Sequence, residues 1–253
     1  MSSVELRDQN ELKLVKKRIY NYVKKFGLTQ KTGVDLPGES CGIMFDYKNF
    51  HELEQATVAF GQGISVTPLQ LVSAISACVN GGYLLQPHIL KEVRNNNNEI
   101  IYQAKRKVKR QVIKEETSKK VRDALESVVT DGGGRNAYID GYRIGGKTGT
   151  AQKAVNGSYV GGGYILSFVG IAPIDDPQIV LYIAMDNPKN CIQYGGTTVA
   201  PIARKMLLDI LPALNVKKVK SQRQKSFSVM DKKTIKVENY IGKQRKEVQN
   251  ISL

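Results

Sequence analysis

Apolar residues recur at helical spacing in several parts of the chain. Residues 9–26, 115–130 and 197–214 each carry such a stripe along one face. A further helix is predicted to begin at Thr67-Pro68, because a hydroxyl residue followed by proline suits the first positions of a helix. Glycines end this helix at Gly81-Gly82. The pattern therefore predicts four helices.

Short apolar runs predict two pairs of neighbouring strands. Residues 88–93 and 99–104 flank a polar asparagine tract and are expected to form a hairpin. Residues 165–172 and 178–185 are joined by the proline-bounded turn Pro173–Pro177 and are expected to pair antiparallel. Helices outside an antiparallel sheet define an α+β fold class.

The composition is that of a soluble globular protein. The chain has 253 residues, of which 41% are hydrophobic and 24% charged, enough for one large domain or for one domain with appendages. No apolar run reaches the roughly 18 residues that a membrane-spanning helix needs, and the N-terminal residues lack the apolar core of a signal peptide. We therefore expect neither an export signal nor an anchor in the chain as written.

The formal net charge of +15 is concentrated in two segments. Residues 215–253 hold eleven Lys or Arg against three acids, and residues 105–120 hold eight against two. Such runs attract anionic polymers, but they also occur as solvated tails and loops. No aromatic side chains alternate with these cations as base stacking would require, so nucleic acid is not an expected partner.

Metal and cofactor chemistry is not expected. The three cysteines, Cys41, Cys78 and Cys191, form no Cys-x-x-Cys pair, and the only histidines are His51 and His88. These residues are too few and too widely spaced for a zinc site. Buried or unreactive thiols are the expectation.

The tetrapeptide Lys147–Thr150 is the most informative candidate for chemistry. An ammonium and two hydroxyls beside a glycine make a strand edge that can bind a carboxylate. Gly149 leaves room for a substrate backbone, and the next N–H can point at a developing oxyanion. Lys-Thr-Gly also occurs at Lys31–Gly33, but no strand pattern follows that copy, which we interpret as a turn. The second copy begins a strand-loop-strand unit, the context that serine acyl-transfer enzymes require.

Seven motifs occur in the order found in one enzyme family. The chain resembles the C-terminal part of the transpeptidase domain of class B penicillin-binding proteins, of the sporulation and division type, over residues 10–214. The resemblance implies a β-lactamase/D,D-transpeptidase-like fold. The motifs are Lys31–Glu39, Phe60–Gln70, Asn80–Gly82, Gly145–Gln152, Ser167–Pro173, Tyr194–Gly196 and Ala200-Pro201.

The resemblance implies a reaction and a set of roles. The family cleaves a terminal D-Ala–D-Ala bond by acyl transfer to a serine and passes the acyl group to an amine. Ser-x-x-Lys supplies nucleophile and base, Ser-x-Asn shuttles a proton, and Lys-Thr-Gly binds the substrate carboxylate. Applied to the matching positions of this sequence, these roles imply that Lys147 and Thr150 hold that carboxylate and that Thr148 supports the strand edge. The Thr150 N–H would be half of the oxyanion hole.

The chain departs from the family pattern at the nucleophile. No serine is followed by Lys three positions later or by Asn two positions later; the near miss, Thr117–Lys120, lies in the second basic run. We expect the nucleophile to lie before Met1 and no catalytic residue to be present, so the fragment is expected to be inactive alone.

The resemblance divides the chain into three parts. Residues 1–214 are the C-terminal portion of the transpeptidase domain, residues 215–233 a basic linker, and residues 234–253 the truncated start of a PASTA-like repeat.

Three other segments have structural interpretations. Gly132–Gly134 favours a flexible loop over a phosphate cradle, since no strand-to-helix glycine motif surrounds it, and family analogy puts it near the substrate cleft. Glycines 161–163 favour a mobile turn between strands. Asp175-Asp176 favours a turn over a pair of catalytic acids.

Two other functions remain open. One is a non-catalytic module, from a split or degenerate gene, that binds peptidoglycan or a partner. The other is a serine β-lactamase or β-lactam sensor, which the motifs Lys31–Glu39 and Phe60–Gln70 disfavour.

The family resemblance implies a parent protein at the extracytoplasmic face of the plasma membrane. Expected partners are the peptidoglycan stem peptide, β-lactams in the complete domain, a cell-wall polymerase and the missing N-terminal half of the domain. That half is expected as a partner because its absence exposes apolar surface.

Overall fold

The computed structural model describes residues 3–153 and 163–219, with side chains from residue 12 onward. Six α-helices and seven strands lie in these ranges. The helices are α1 (Ser3–Lys25), α2 (Glu52–Ala59), α3 (Pro68–Val79), α4 (Glu115–Thr130), α5 (Gly195–Thr198) and α6 (Ala200–Ala213). The strands are β1 (Tyr83–Leu85), β2 (Glu92–Arg94), β3 (Ile100–Gln103), β4 (Val108–Gln111), β5 (Gly145–Gln152), β6 (Tyr164–Ala172) and β7 (Ile179–Asp186).

The main sheet has three antiparallel strands in the order β5-β6-β7. Its central strand β6 is apolar on both faces, as a strand covered on both sides must be. One face carries Leu166 and Phe168 and belongs to the same core cluster as Leu207 of α6. The other carries Val169 and Ile171, which pack with Val79 of α3. The predicted α+β class, with an antiparallel sheet flanked by helices, is confirmed.

The helix that begins at Pro68 follows its sequence signals. Thr67 has extended backbone dihedral angles and its side chain accepts a hydrogen bond from the backbone N–H of Gln70, while the Gln70 side chain accepts one from Thr67 N–H. This reciprocal capping box satisfies two backbone donors that the helix start would otherwise leave unpaired. The prediction for this helix is confirmed.

The C-terminal helix differs from the prediction. Instead of one helix over residues 197–214, α5 and α6 meet at Val199. Pro201 falls in the first turn of α6, where its missing N–H costs nothing, so the proline marks a new helix start. The helix over residues 115–130 and the pairing of residues 165–172 with 178–185 are confirmed.

The N-terminal half shows more differences. Helix α1 begins at Ser3 rather than residue 9, and its predicted apolar face is only partly buried, with Leu12, Leu14 and Val15 all exposed. Short elements that the periodicity missed are α2, β1 and β4. The predicted hairpin forms, but its first strand begins at Glu92 instead of residue 88.

The second basic run is only partly a solvated loop. Its residues 108–111 form β4, which pairs with β1. Arg110 donates to the carbonyl oxygens of Lys24 and Lys25 at the end of α1, and Lys109 donates to that of Thr32. Cations near a helix C-terminus satisfy carbonyls that lack intrahelical partners. These two cations therefore join β4 to α1 and to the loop after it.

Several sequence predictions lie outside the described residues. They concern the first two of glycines 161–163, the basic segment from residue 220 onward and the PASTA-like start. The compact unit ends at Val219. Within the described ranges, none of the helices combines the length and apolar character needed to span a bilayer.

Candidate functional site

Strand β5 carries the candidate tetrapeptide along one side of the main sheet. In the described part of the chain β5 pairs with β6 alone, so its other backbone edge has no strand beside it. The strand starts at the buried Gly145 and Gly146 and becomes exposed at Lys147 and Thr150. An unpaired strand edge presents backbone donors and acceptors to an extended ligand.

Two glycines fix the start of β5. A β-carbon at Gly146 would lie 2.8 Å from the carbonyl oxygen of Val169, and one at Gly145 would lie 3.1 Å from the Leu125 side chain. Only a strand without side chains here can approach β6 and α4 so closely. The buried start therefore sets the position of the exposed residues that follow.

The tetrapeptide divides its side chains between the two faces of the sheet. Lys147 and Gly149 lie opposite Val169 and Ser167, whereas Thr148 and Thr150 lie on the other face, because successive strand residues alternate. Lys147 Nζ donates to the carbonyl oxygen of Thr148 at 2.7 Å. Among the described side chains, Lys147 has no carboxylate at ion-pair distance. The Lys147 ammonium therefore donates to the backbone, and its positive charge is exposed to solvent.

Gly149 lies against Ser167. A β-carbon at Gly149 would collide with the Ser167 hydroxyl oxygen, which occupies that space. Tyr182, on the neighbouring strand β7, is hydrogen-bonded to Ser167; burial raises the pKa of the Tyr182 phenol, and this hydrogen bond offsets part of the rise. The glycine of the Lys-Thr-Gly motif therefore makes room for a polar pair from β6 and β7.

Thr150 has a partner at the start of α5. The backbone N–H of Gly195 donates to Thr150 Oγ1 at 3.2 Å. A β-carbon at Gly195 would lie 2.5 Å from the carbonyl oxygens of both Gly149 and Ser167. Gly195 is buried while Thr150 is exposed. The close approach of this backbone depends on glycine.

The same segment is tied to the glycine loop 132–134. Asn136 Nδ2 donates to the carbonyl oxygen of Gly196 at 2.9 Å. A β-carbon at Gly133 would lie 2.6 Å from the Tyr194 hydroxyl, and one at Gly196 would lie 3.2 Å from Thr148 Cγ2. Tyr194–Gly196 therefore contacts both the glycine loop and β5.

Arg143 fixes the turn that precedes β5. Its guanidinium binds both carboxylate oxygens of Glu126 on α4 and also pairs with Asp175 in the β6–β7 turn. The hydrogen bond with Glu126, partly offset by burial and aided by the charges of both carboxylates, raises the pKa of Arg143. Asp175 thus lies in a turn, as predicted, and has a structural partner.

The first Lys-Thr-Gly copy is not part of this site. Residues 31–34 lie in irregular backbone, and the Glu39 carboxylate accepts hydrogen bonds from the Thr32 and Gly33 N–H groups and from the Thr32 hydroxyl. Burial raises the pKa of Glu39, but these hydrogen bonds outweigh it and the net pKa is lowered. The copies are alike in sequence and differ in structure because only the second enters a strand.

Metal ligands do not come together in the described residues. No group of three or more His, Cys, Asp or Glu side chains there could hold an ion. The cysteines carry free thiols, and burial raises the pKa of Cys78 to about 11. Cys41 is exposed, and Cys78 and Cys191 are partly buried.

Sequence reasoning missed three contributors to this arrangement: Arg143, Asn136 and Gly195. Tyr194-Gly195-Gly196 stood out as a motif, but its contact with Thr150 depends on a fold that brings residues 45 positions apart together. Arg143, four residues before Lys147, carried no periodic signal. Asn136 follows the glycine loop, and nothing in its local sequence indicates a role.

Comparison with known proteins places this chain in one family. Residues 2–208 match the family model described as the penicillin binding protein transpeptidase domain. Stage V sporulation protein D of Bacillus subtilis is 50% identical over 240 residues, which are 94% of this chain and 37% of that protein. A probable peptidoglycan D,D-transpeptidase PenA of Neisseria flavescens is 32% identical over 81% of this chain and 48% of its own.

Solved structures give the same result. The transpeptidase domain of Burkholderia pseudomallei penicillin-binding protein 3 has a TM-score of 0.69 at 35% identity, covering 80% of this chain and 59% of that one. Penicillin-binding protein 3 from Mycobacterium tuberculosis, in complex with ampicillin, has a TM-score of 0.73 at 31% identity, covering 81% of this chain and 48% of that one.

The fold and these comparisons thus define a transpeptidase-type domain. The chain belongs to the penicillin-binding protein transpeptidase domain family. It spans between about a third and a half of the length of these two curated relatives.

Proposed function

We propose that this chain provides the carboxylate-binding side of a D,D-transpeptidase site that cross-links peptidoglycan. The observation that carries the proposal is the open edge of β5. There the exposed residues Lys147 and Thr150 follow two buried glycines at the start of the strand. An extended peptide with a C-terminal carboxylate can lie along such an edge and place its charge at the lysine. Family membership supports this choice of ligand.

Each residue of the tetrapeptide has a proposed role. Lys147 and Thr150 lie on opposite faces of β5, and in this proposal both reach its open edge. There the ammonium and the hydroxyl donate charge-assisted hydrogen bonds to the carboxylate of the D-Ala-D-Ala terminus. Thr148 supports the strand edge, and Gly149 permits close approach of the peptide. The Thr150 N–H is half of the oxyanion hole, a donor worth on the order of 3 kcal/mol in other acyl-transfer enzymes.

The acyl-transfer step needs a serine that this sequence does not supply. No serine in the 253 residues has the Ser-x-x-Lys pattern, so we propose that the nucleophile and its base belong to another segment of the domain. With that segment present, the completed site would take β-lactams. A solved relative is complexed with ampicillin.

The cellular setting is part of the proposal. The parent protein would act at the extracytoplasmic face of the plasma membrane, beside a cell-wall polymerase, in sporulation or division. The 50% identity to a stage V sporulation protein favours sporulation.

A second candidate follows from the missing Ser-x-x-Lys motif. The chain would then be a non-catalytic module that keeps its carboxylate-binding edge for recognition of peptidoglycan or a partner. In-frame coding sequence upstream of Met1 that contains Ser-x-x-Lys would decide for the transpeptidase, and a genuine start at Met1 would decide for the module.

The proposed site is tested by binding of N-acetyl-D-alanyl-D-alanine to the full chain, with its C-terminal amide as the uncharged comparison. Backbone amide NMR shifts give the dissociation constants. We expect the acid to bind more tightly and expect Lys147→Ala and Thr150→Val each to weaken it roughly tenfold, as loss of a charge-assisted hydrogen bond predicts. Lys91→Ala, an exposed lysine beside β2, is the matched control. Equal binding of acid and amide would rule the site out.

A further inference from the structure

The Thr150 hydroxyl accepts a hydrogen bond from a backbone group of another segment. Gly195 N–H donates to Thr150 Oγ1 at 3.2 Å, and Gly195 itself is buried. A hydroxyl has one proton to donate and two lone pairs that accept. Because the N–H occupies a lone pair, the orientation of the hydroxyl is restricted and its single proton remains available for another acceptor.

The orientation of that proton decides what Thr150 can bind. A freely rotating hydroxyl can turn its proton towards a nearby carbonyl oxygen. Its lone pair would then face the ligand and repel the negative charge of a carboxylate. With the N–H of Gly195 in place, the hydroxyl is prepared as a donor before the ligand arrives. Such preorganisation strengthens binding because less reorientation is needed on association.

Gly195 is held from both sides. Towards the sheet, its α-carbon lies so close to the carbonyl oxygens of Gly149 and Ser167 that a β-carbon would lie 2.5 Å from each. On the other side, Asn136 Nδ2 donates to the carbonyl oxygen of the next residue, Gly196, at 2.9 Å. Asn136 lies in the 3-10 turn Arg135–Ala137, which follows the glycine loop.

We propose that Asn136 is a positioning residue for Thr150. By holding the carbonyl group of Gly196, Asn136 keeps the Gly195 N–H on Thr150 Oγ1, so that the threonine hydroxyl donates its proton to the terminal carboxylate of the ligand. Asn136 does not itself touch the carboxylate in this proposal. The inference rests on the proposed function, because it concerns the same carboxylate.

This role predicts a specific kind of defect. Loss of the Asn136 amide affects the carboxylate contact and leaves other contacts of the peptide unchanged. A purely structural role would weaken binding of acid and amide ligands alike, or lower thermal stability alone. The ratio of acid to amide affinity therefore separates positioning from general stability.

The test is a double-mutant cycle on the full chain with Asn136→Ala and Thr150→Val. Dissociation constants are measured by amide NMR for N-acetyl-D-alanyl-D-alanine and for its C-terminal amide. We expect Asn136→Ala to weaken binding of the acid at least threefold, to leave the amide unchanged and to add nothing in the Thr150→Val background. Asn97→Ala, an exposed asparagine in the β2–β3 turn, is the matched control.

A second readout needs no ligand. In the unsubstituted chain the Gly195 amide is hydrogen-bonded, and we expect Asn136→Ala to speed its hydrogen exchange and shift its proton resonance while distant amides keep theirs. Because the exchange rates of distant amides report global stability, this comparison also detects a variant that fails to fold.

The outcomes distinguish the two proposals. If the unsubstituted chain prefers the acid but Asn136→Ala leaves that preference and the Gly195 amide unchanged, the positioning role is wrong and the proposed function stands. Additive losses in the double variant would also overturn it. If the unsubstituted chain does not distinguish acid from amide, the proposed function and the positioning role fail together.

Discussion

Arg143 joins α4, the start of β5 and the β6–β7 turn through one side chain. Its guanidinium binds Glu126 at both oxygens and also pairs with Asp175. The side chains of Arg143 and Glu126 are only 26% and 14% exposed. A bidentate ion pair so shielded from water is stronger than a surface pair, and removal of one partner leaves a charge without compensation.

We expect Arg143→Met to lower the free energy of unfolding by about 2 kcal/mol, a value between those of surface and buried ion pairs. Urea denaturation of the full chain measures it. Arg94→Met is the matched control, since Arg94 pairs with Glu92 at 42% and 25% exposure, and we expect it to cost less than about 1 kcal/mol. Equal losses for the two variants would show that Arg143 has no special role next to β5.

The candidate site was only partly predictable at the level of residues. Lys147 to Thr150 could be found because their chemistry and their strand context lie within a short segment. Asn136 and Gly195 could not, because each acts through a contact with a residue that is distant in sequence. A backbone N–H or an asparagine amide leaves no local pattern that distinguishes such a role.

At the scale of elements, the loop after α1 is organised around two carboxylates. Glu39 accepts hydrogen bonds from Thr32 and Gly33, and Asp35 accepts from the backbone N–H groups of Ile89 and Leu90. The hydrogen bonds from Ile89 and Leu90 lower the pKa of Asp35 despite an opposing effect of burial, and the pKa of Glu39 is also lowered. The charged forms therefore stabilise the folded loop.

A lowered carboxyl pKa stabilises the fold above the ordinary pKa of the group, and this contribution is lost as pH falls through the folded pKa. For Glu39 the loss begins near its ordinary value of 4.5. We expect Glu39→Gln to lower the melting temperature at neutral pH. We also expect the melting temperature of this variant to fall less on acidification than that of the unsubstituted chain. Thermal unfolding from about pH 7 to about pH 3 measures both.

Asp209→Asn, an exposed carboxylate on α6, is the matched control for Glu39→Gln. We expect this control to follow the unsubstituted chain at every pH. An acid profile of Glu39→Gln that parallels the unsubstituted chain would contradict the stabilising role of the Glu39 carboxylate.

Elements with their own stop and start signals were predictable, and elements defined by tertiary contacts were not. Thr67-Pro68 and the Gly81-Gly82 pair identified α3 to within a residue or two because capping is local. Strand β1 has three residues, and its pairing with β4 depends on a partner more than twenty positions away. The N-cap of helix α2 is His51, whose backbone N–H donates to the Glu54 side chain, and a histidine at this position does not match the usual serine or threonine signature.

On the scale of the whole molecule, the proposed activity has two separate requirements, a strand edge that binds the carboxylate and a serine that is acylated. The motifs shared with the family reach from residue 31 to residue 201, yet the 253 residues contain no Ser-x-x-Lys. Acylation by penicillin needs an activated serine as well as a carboxylate site, because the covalent bond forms at the serine oxygen. Binding alone leaves no adduct on a denaturing gel.

We therefore expect no covalent adduct when the purified full chain is incubated with a fluorescent penicillin, as read by denaturing gel and intact mass. The Mycobacterium tuberculosis relative, solved in complex with ampicillin, is the positive control for reagent and conditions. A stoichiometric, heat-stable adduct on this chain would mean that one of its own serines is activated without a lysine three positions later. Peptide mapping of the adduct would identify that serine, and Ser167 would be the first to replace by alanine because its hydroxyl lies against Gly149 of the Lys-Thr-Gly strand.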